Sequence, residues 1–359
     1  MRIASVEVIP YALPFREPYV TATGKLTRRE MVLLLLRDEE GREGLGEAVP
    51  LSLRGGAGLA RVVDELEELG ERDALDEAIL RDRATGLCAP ARCAALIALL
   101  DLRGRRAAPE RSSFVDVSPT NSERPEPIRC NATLVAGDPG SVVADAERWA
   151  AEGFSTFKLK LGTGDDAARV RAVREALGPR AKIRIDANGA WDLETARRTL
   201  AELEPYEIEL AEQPVASVEE AAELVGSSSI PLAADESVES RADAERVASA
   251  GAFAMTGIKL SKVGGPEEAM EIAEVLPAYV TSALDGPVGI AAAAQVAHSL
   301  GDLGRGEGES LAHGLATQRL FASTIAAQEC ELRGDMLHLP DGPGLGVEID
   351  DAALQAHRL

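Results

Sequence analysis

Charged residues recur at the ends of short apolar segments: Lys158 and Lys160 in "TFKLKL", Asp186 in "KIRIDAN", Glu212 in "IELAEQP", Asp235 in "PLAADES" and Lys259 in "GIKLSK". From Lys160 the steps to Asp186, Glu212, Asp235 and Lys259 are 26, 26, 23 and 24 residues. That interval is the length of one strand, one helix and two loops, so each residue falls at an equivalent place in successive units. In a closed parallel barrel that place is the C-terminal rim, where strand ends from different units converge. Burying such charges in apolar strands costs several kcal/mol apiece unless they are paired or metal-bound. The shared register therefore reads as one site rather than as solvated surface groups.

Three converging carboxylates with no Cys or His beside them are hard oxygen ligands suited to Mg²⁺, with Asp186, Glu212 and Asp235 as the ligand set. Asn188 and Glu236 are expected just behind them: Asn188 two residues beyond Asp186 on the same side, and Glu236 next to Asp235 and facing away. Side chains alternate along a strand, so Lys158 and Lys160 share a face opposite Phe157, Leu159 and Leu161. Two neighbouring ammonium groups near a divalent cation repel, which lowers a lysine pKa from about 10.4 towards the range a general base needs. Lys160, nearer the strand end, is the expected base and Lys158 its electrostatic partner. Lys259, four strands later, is expected on the opposite side of a metal-bound substrate. The chemistry this suits is removal of a weakly acidic proton next to a carboxylate, with Mg²⁺ holding the enediolate that forms.

The elements that must carry these groups begin at residue 128, where "IRCNATLV" opens a series of apolar strands separated by helical patterns. A helix is expected from about Asp138 to Glu152, and "YVTSALD" and "SLAHGLA" bring the strands to eight, enough to close a barrel. Ahead of them "RIASVEVIPYAL", "EMVLLLLRD" and "REGLGEAVP" read as three strands, the last two joined by an "EEGR" turn. "GLARVVDELEELGE", "ALDEAILRDRA" and "APARCAALIALLDLRGR" follow with apolar residues at helical spacing. "APERSSFVDVSPTNSERPEP" is unpatterned and reads as a linker. The expected fold is α/β: a barrel over 126–325 and an α+β domain over 1–125.

Composition narrows the classes. With 359 residues, 38 basic against 60 acidic and a net charge of −22, the chain repels polyphosphates and anionic membranes, so no nucleic-acid or membrane partner is expected. "MVLLLL" and "AALIALL" are too short to cross a bilayer, and the first residues lack a basic segment followed by a long apolar one, so a cytoplasmic protein is expected. Cys88, Cys93, Cys130 and Cys330 show no paired spacing for zinc or a disulfide framework. The four histidines, His298, His313, His338 and His357, lie outside the motif set, and no G-x-S-x-G elbow is present.

"KLKLG", "DANGAW", "EQP", "ADES" and "IKLSKVGG" resemble, in order and spacing, the barrel motifs of the enolase superfamily, muconate-cycloisomerase subgroup. The likeness extends to "ALIALLDLRGR" and to "GPGLGVEID" near the end. It implies a (β/α)7β TIM-like barrel with an N-terminal capping domain, to which 326–359 returns. It also implies Mg²⁺ on Asp186, Glu212 and Asp235, with Lys160 and Lys259 as the acid/base pair. The subgroup includes o-succinylbenzoate synthases, muconate cycloisomerases, dipeptide epimerases and N-succinylamino-acid racemases, which these motifs do not separate. "SALDGPVGIAAAAQVA" and "AHGLATQRLF" look most like the synthases, and the D-x-D motif of dipeptide epimerases near the eighth strand is absent. The implied reaction is a dehydration in menaquinone biosynthesis, by a carbon-oxygen lyase acting on a small-molecule carboxylate.

Residues 15–25, "FREPYVTATGK", correspond to the family's capping loop. The resemblance suggests substrate contacts at Thr21, Gly24, Ser282, Asp285 and His313, with Asp285 standing where many relatives carry Glu. Assembly as a homo-oligomer is left open. A competing reading is a dinucleotide-binding domain, because "GTGDDA" at Gly162 and Gly164 fits G-x-G-x-x-A after a strand. It requires a strand that is apolar on both faces, which Lys158 and Lys160 contradict.

Overall fold

The N-terminal strands hold more apolar residues than one buried face needs, and the computed structural model shows why; it describes residues 1–21, 24–52, 55–70, 75–107, 126–135, 137–162, 164–301 and 311–359. Strands β1 (Arg2–Thr21), β2 (Gly24–Asp38) and β3 (Glu43–Ala48) form an antiparallel sheet, to which β4 (Leu75–Asp76) adds on the far side of β1. Val32, Leu34 and Leu36 of β2 pack among the residues of α1 (Leu59–Gly70), α2 (Glu77–Ala84) and α3 (Ala89–Ala107). Their neighbours Met31 and Leu33 point the other way and join the core that runs through the barrel. A sheet covered on both faces takes an unbroken apolar run, as "MVLLLL" is. The close approach of β3 to α3 rests on Gly44 and Gly46, where a Cβ would stand 2.2 Å from Ala98 O and 2.0 Å from Ala94 O.

The alternating strand-helix unit starts at β5 (Ile128–Arg129) and β6 (Ala132–Leu134), followed by α4 (Pro139–Ala151), whose N-terminal amides are capped by the Asp138 carboxylate. β7 (Thr156–Lys160), α5 (Asp166–Leu177), β8 (Lys182–Asp186), α6 (Leu193–Leu203), β9 (Ile208–Glu212) and α7 (Val218–Ala222) continue the alternation. β10 (Leu232–Ala234), α8 (Arg241–Ala250), β11 (Met255–Ile258), α9 (Leu260–Val263), α10 (Pro266–Val275), β12 (Ala278–Val280) and α11 (Pro287–Gly301) complete it. The strands make one curled parallel sheet in the order β12-β11-β10-β9-β8-β7-β6.

The eighth segment is shorter than the sequence suggests. "SLAHGLA" contributes single bridges, His313 to Cys130 and Gly314 to Thr281, rather than a strand. Those bridges still join the two edges: Asn131 N–H donates to His313 O at 2.9 Å and Gly314 N–H to Val280 O at 2.8 Å. Gly314 is needed there because a Cβ would lie 2.4 Å from Thr281 Oγ1.

After the barrel, β13 (Ala326–Gln328) pairs with β16 (Glu348–Ile349), while β14 (Glu331–Arg333) and β15 (Met336–His338) extend β5. The last helix, α12 (Asp351–His357), brings the chain back to β1, where Arg358 bridges Tyr11 and Leu359 N–H donates to Pro10 O at 3.0 Å. The Phe15 ring stacks on Phe321 at 5.1 Å between centroids, which props the outer half of the β1–β2 hairpin against the barrel. The segment read as a linker lies, over 108–125, outside the described residues. No helix among the described residues is long and apolar enough to cross a membrane.

Candidate active site

Register places the charged residues side by side. Lys160 pairs with Asp186 across β7–β8, and Asp186 with Glu212 across β8–β9. Ala233 of β10 pairs with Glu212, so Asp235 follows two residues beyond, and Lys259 immediately follows β11. Asp186, Glu212 and Asp235 are fully buried, as are Lys158 and Lys259, while the Lys160 side chain keeps 21% of its surface. The order β7 to β11 puts Lys160 and Lys259 at opposite ends of one row of carboxylates.

Each carboxylate meets an ammonium. Lys158 Nζ donates to Glu212 Oε1 and Oε2 at 2.7 and 2.6 Å and stands 2.8 Å from Asp186 Oδ2. Lys160 Nζ donates to Asp186 Oδ2 at 2.5 Å and to Asn188 Oδ1 at 3.0 Å. Lys259 donates to Asp235 Oδ2. The two β7 lysines thus share one carboxylate oxygen, which stands between charges that would otherwise repel.

The electrostatics follow from burial opposed by these pairs. Burial alone would pull Lys158 down, yet the charges of Asp186, Glu212 and Asp235 outweigh it and raise its pKa, so Lys158 stays an ammonium. Burial pushes the Asp186 carboxyl up, and Lys158 and Lys160 overcome it and hold it well below the usual range. Glu212 is raised, first by burial and then by Asp186, against the pull of Lys158.

Four residues that the sequence reading passed over belong to this network. Lys262, three positions after Lys259 on α9, donates to Asp235 O and, at 2.9 Å, to Asp235 Oδ1. Tyr279 on β12 donates from its hydroxyl to Glu212 Oε2 at 2.5 Å. Arg184 on β8 lies 5.3 Å over the Tyr279 ring and donates to Ala312 O at 2.6 Å. Gln213 receives the Asp235 and Ser237 amides on its Oε1 at 3.0 and 3.2 Å. A second lysine in "IKLSK" and a tyrosine inside an apolar strand were the available signals. Gln213 and Asn188 both adopt positive φ, 38° and 48°, an uncommon conformation for non-glycine residues held here directly beyond two of the acids.

Asn188 lies beside Asp186 as expected, its amide donating to Asp186 Oδ1 at 3.0 Å, but Glu236 takes a different arrangement. Glu236 does not face away: its Oε1 accepts from Asn188 Nδ2 at 3.0 Å. Strand alternation predicts the opposite direction, but β10 ends at Ala234 and the chain bends at Asp235 into a turn. Ser282 and Asp285 sit together at the end of β12, the Ser282 hydroxyl donating to Asp285 Oδ2 at 2.6 Å and the Ala283 amide to the same oxygen at 2.7 Å. His313 Nδ1 accepts the Val280 amide at 3.0 Å, so the ring is tied to the barrel seam. The backbones of Thr21 and Gly24 pair at the tip of the β1–β2 hairpin, and the Thr21 side chain lies outside what is described.

Among the described residues no three His, Cys, Asp or Glu side chains are placed as a ready metal cluster, because each acid is turned onto a lysine. The donor chemistry nonetheless fits Mg²⁺. The three buried groups offer oxygen only, and the Lys158 ammonium, between Asp186 and Glu212, is itself a cation held by two of them. The "GTGDDA" loop fits a phosphate poorly. Its Gly162 amide donates to the Asp166 carboxylate at 3.0 Å, and Trp191 Nε1 donates to that same group at 3.0 Å, so an internal anion already fills the turn.

A closed ring of parallel strands with carboxylates and lysines at its rim defines a barrel of the enzyme type. Residues 141–353 match the family model described as Enolase C-terminal domain-like. The o-succinylbenzoate synthase of Thermobifida fusca is 40% identical over 209 residues, 56% of this chain and 64% of that enzyme's length. Muconate cycloisomerase 1 of Pseudomonas putida is 29% identical over 97% of this chain and 96% of its own. In structure, the dipeptide epimerase of Cytophaga hutchinsonii, complexed with Mg and D-Ala-L-Val, superposes with a TM-score of 0.88, 26% identity and coverage of 99% and 98%. The chain belongs to the enolase superfamily.

Proposed function

We propose that the chain is a Mg²⁺-dependent lyase that removes a proton next to a carboxylate and expels hydroxide, as an o-succinylbenzoate synthase does. The observation that carries this reading is the placement of Lys160 and Lys259 at the two ends of one buried row formed by Asp186, Glu212 and Asp235. Asp186, Glu212 and Asp235 would hold the ion. When bound, Mg²⁺ supplies Lewis-acid stabilisation of charge on a substrate carboxylate and a positive field that favours neutral amines nearby.

Lys160 takes the proton from carbon onto Nζ, and Asn188 Oδ1 at 3.0 Å orients it. The ammonium so formed is the proton donor that turns the departing hydroxide into water, which regenerates the amine as the ring becomes aromatic. Lys158 keeps its charge and fixes Glu212 and Asp186. Lys259, held by Asp235, presents a cation to the opposite face of the substrate ring.

The substrate class follows from what the rim lacks. Segments 278–286 and 311–320 contain a single acid, Asp285, and its Oδ2 is taken by Ser282 and Ala283. A peptide ammonium finds no unengaged carboxylate among the described residues there, which favours a substrate with carboxylates only. The 40% identity to the Thermobifida fusca synthase supports the succinyl cyclohexadiene carboxylate over muconate.

The test is a panel with Mg²⁺: that cyclohexadiene acid, cis,cis-muconate, a dipeptide and N-succinylamino acids, followed by dehydration, lactonisation and deuterium uptake. Dehydration of the first, abolished by EDTA, is the expected result. Turnover of another substrate alone overturns the substrate, and deuterium uptake that survives Lys160→Ala overturns the base.

A further inference from the structure

The N-terminal sheet reaches the barrel rim through one buried carboxylate that the chemistry above does not use. Glu47, on β3, is 1% exposed and sits against the start of α11, the helix after the seventh strand. Its Oε1 accepts the Gly286 amide at 2.7 Å, and its Oε2 accepts the Tyr11 hydroxyl at 2.8 Å and the Val288 amide at 3.3 Å. The fit is tight on both sides: a Cβ on Gly286 would lie 2.3 Å from Tyr11 Oη, and one on Gly289 would lie 2.6 Å from Glu47 Oε1.

Other contacts from the same domain reach this loop and the residues just past Lys259. Arg29 Nη2 donates to Ala283 O at 3.2 Å and to Pro50 O at 2.7 Å. Val49 N–H donates to Ser261 Oγ at 3.4 Å, and Arg92 Nη2 donates to Val263 O at 2.9 Å, both just past Lys259. Within the loop, Leu284 holds a φ of +68°, a conformation an unrestrained leucine avoids. A strained loop needs neighbours that over-determine it, and Glu47 accepts two of its amides on one side chain that Tyr11 in turn holds in place.

We propose that Glu47 is a positioning residue: from the N-terminal sheet it fixes the 282–288 loop, and with it the flank of the site that Lys259 occupies. The inference rests on the site assignment above and adds a residue to it from the other domain. Tyr11, Arg29, Cys93, Asp285 and Glu329 are the charged or titratable groups that face this cluster. Burial and the charge of Asp285 push the Glu47 carboxyl up to about 8, so alkaline solution sets two carboxylates against each other in the clamp.

The experiment pairs amide hydrogen exchange, which needs no substrate, with kinetics on whichever substrate turns over. In Glu47→Ala, protection of the Gly286 and Val288 amides is expected to fall about tenfold, the equivalent of one lost hydrogen bond. KM is expected to rise by a similar factor while kcat stays within about threefold. Glu47→Gln, which keeps an acceptor and no charge, restores both at neutral pH and removes the loss of protection that the wild type shows between about pH 7 and 9. Tyr11→Phe, which keeps the ring in place, shifts protection in the same direction and serves if the alanine variant does not fold. Unchanged protection at both amides in a folded Ala or Phe variant, or a fall in kcat at constant KM, overturns the assignment. Altered protection without turnover of any substrate supports the clamp and refutes the functional reading instead.

Discussion

Replacing Lys158 by Met should leave the chain less stable without metal and more responsive to it. The methionine fills nearly the same volume but removes an ammonium that stands 2.6 to 2.8 Å from Glu212 and Asp186. Both carboxylates are fully buried; Asp186 keeps Lys160, but Glu212 loses its ammonium and retains only the Tyr279 hydroxyl, and breaking a buried pair in this way costs about 3–5 kcal/mol. The Lys158 pKa is raised in the folded chain, so its contribution is fully present below the unfolded value of about 10.4 and constant through neutral pH. For 359 residues the unfolding entropy is about 0.75 kcal/mol per kelvin, so the midpoint should fall by roughly 4–7 °C. Calorimetry in EDTA reads this directly. Repeating it at one fixed Mg²⁺ concentration, about a hundred times the variant's dissociation constant, should return about 2.7 kcal/mol, more than the wild type gains at that same concentration. A variant as stable as the wild type in EDTA, or one that gains no more from Mg²⁺, would show that the acids are not charged neighbours sharing one cation.

Three further outcomes follow from other parts of the fold. Gly46→Ala puts a methyl 2.0 Å from the Ala94 carbonyl of α3, backbone that cannot yield, and should cost roughly 2–3 kcal/mol by urea denaturation. With a net charge of −22, the thermal midpoint should climb by several degrees as KCl rises from about 0.05 to 1 M and the screening length shrinks from over 10 Å to about 3 Å; a flat response would mean that self-repulsion is unimportant. Glu47 titrates near 4.5 when unfolded and near 8 when folded, so its protonated form is favoured in the native state. The stability of the wild type relative to Glu47→Gln should therefore decline between about pH 5 and 8, by up to about 1.4 kcal/mol per pH unit.

The candidate site was legible because its residues violate their local pattern. A lysine or aspartate inside "TFKLKL" or "KIRID" is costly wherever the strand is buried, and a spacing near 25 residues repeats that cost at one level of a β/α array. The same reasoning failed where the strand stopped. Glu236 turned inward because β10 ends two residues earlier, and "SLAHGLA" closed the barrel by two bridges rather than as a strand. Which strand ends early is set by what the neighbouring edges can pair with, a question that no local window answers.

Sequence alone determined the alternation of strands and helices, the identity of the charged groups and their order around a ring, since periodicity and burial cost are properties of short segments. Only the tertiary structure decided which ammonium meets which acid, that Tyr279 and Lys262 join them, and that Glu47 from another domain reaches the loop after β12. Those contacts join residues as much as 239 positions apart, and their geometry is settled by strand register and domain packing rather than by residue type.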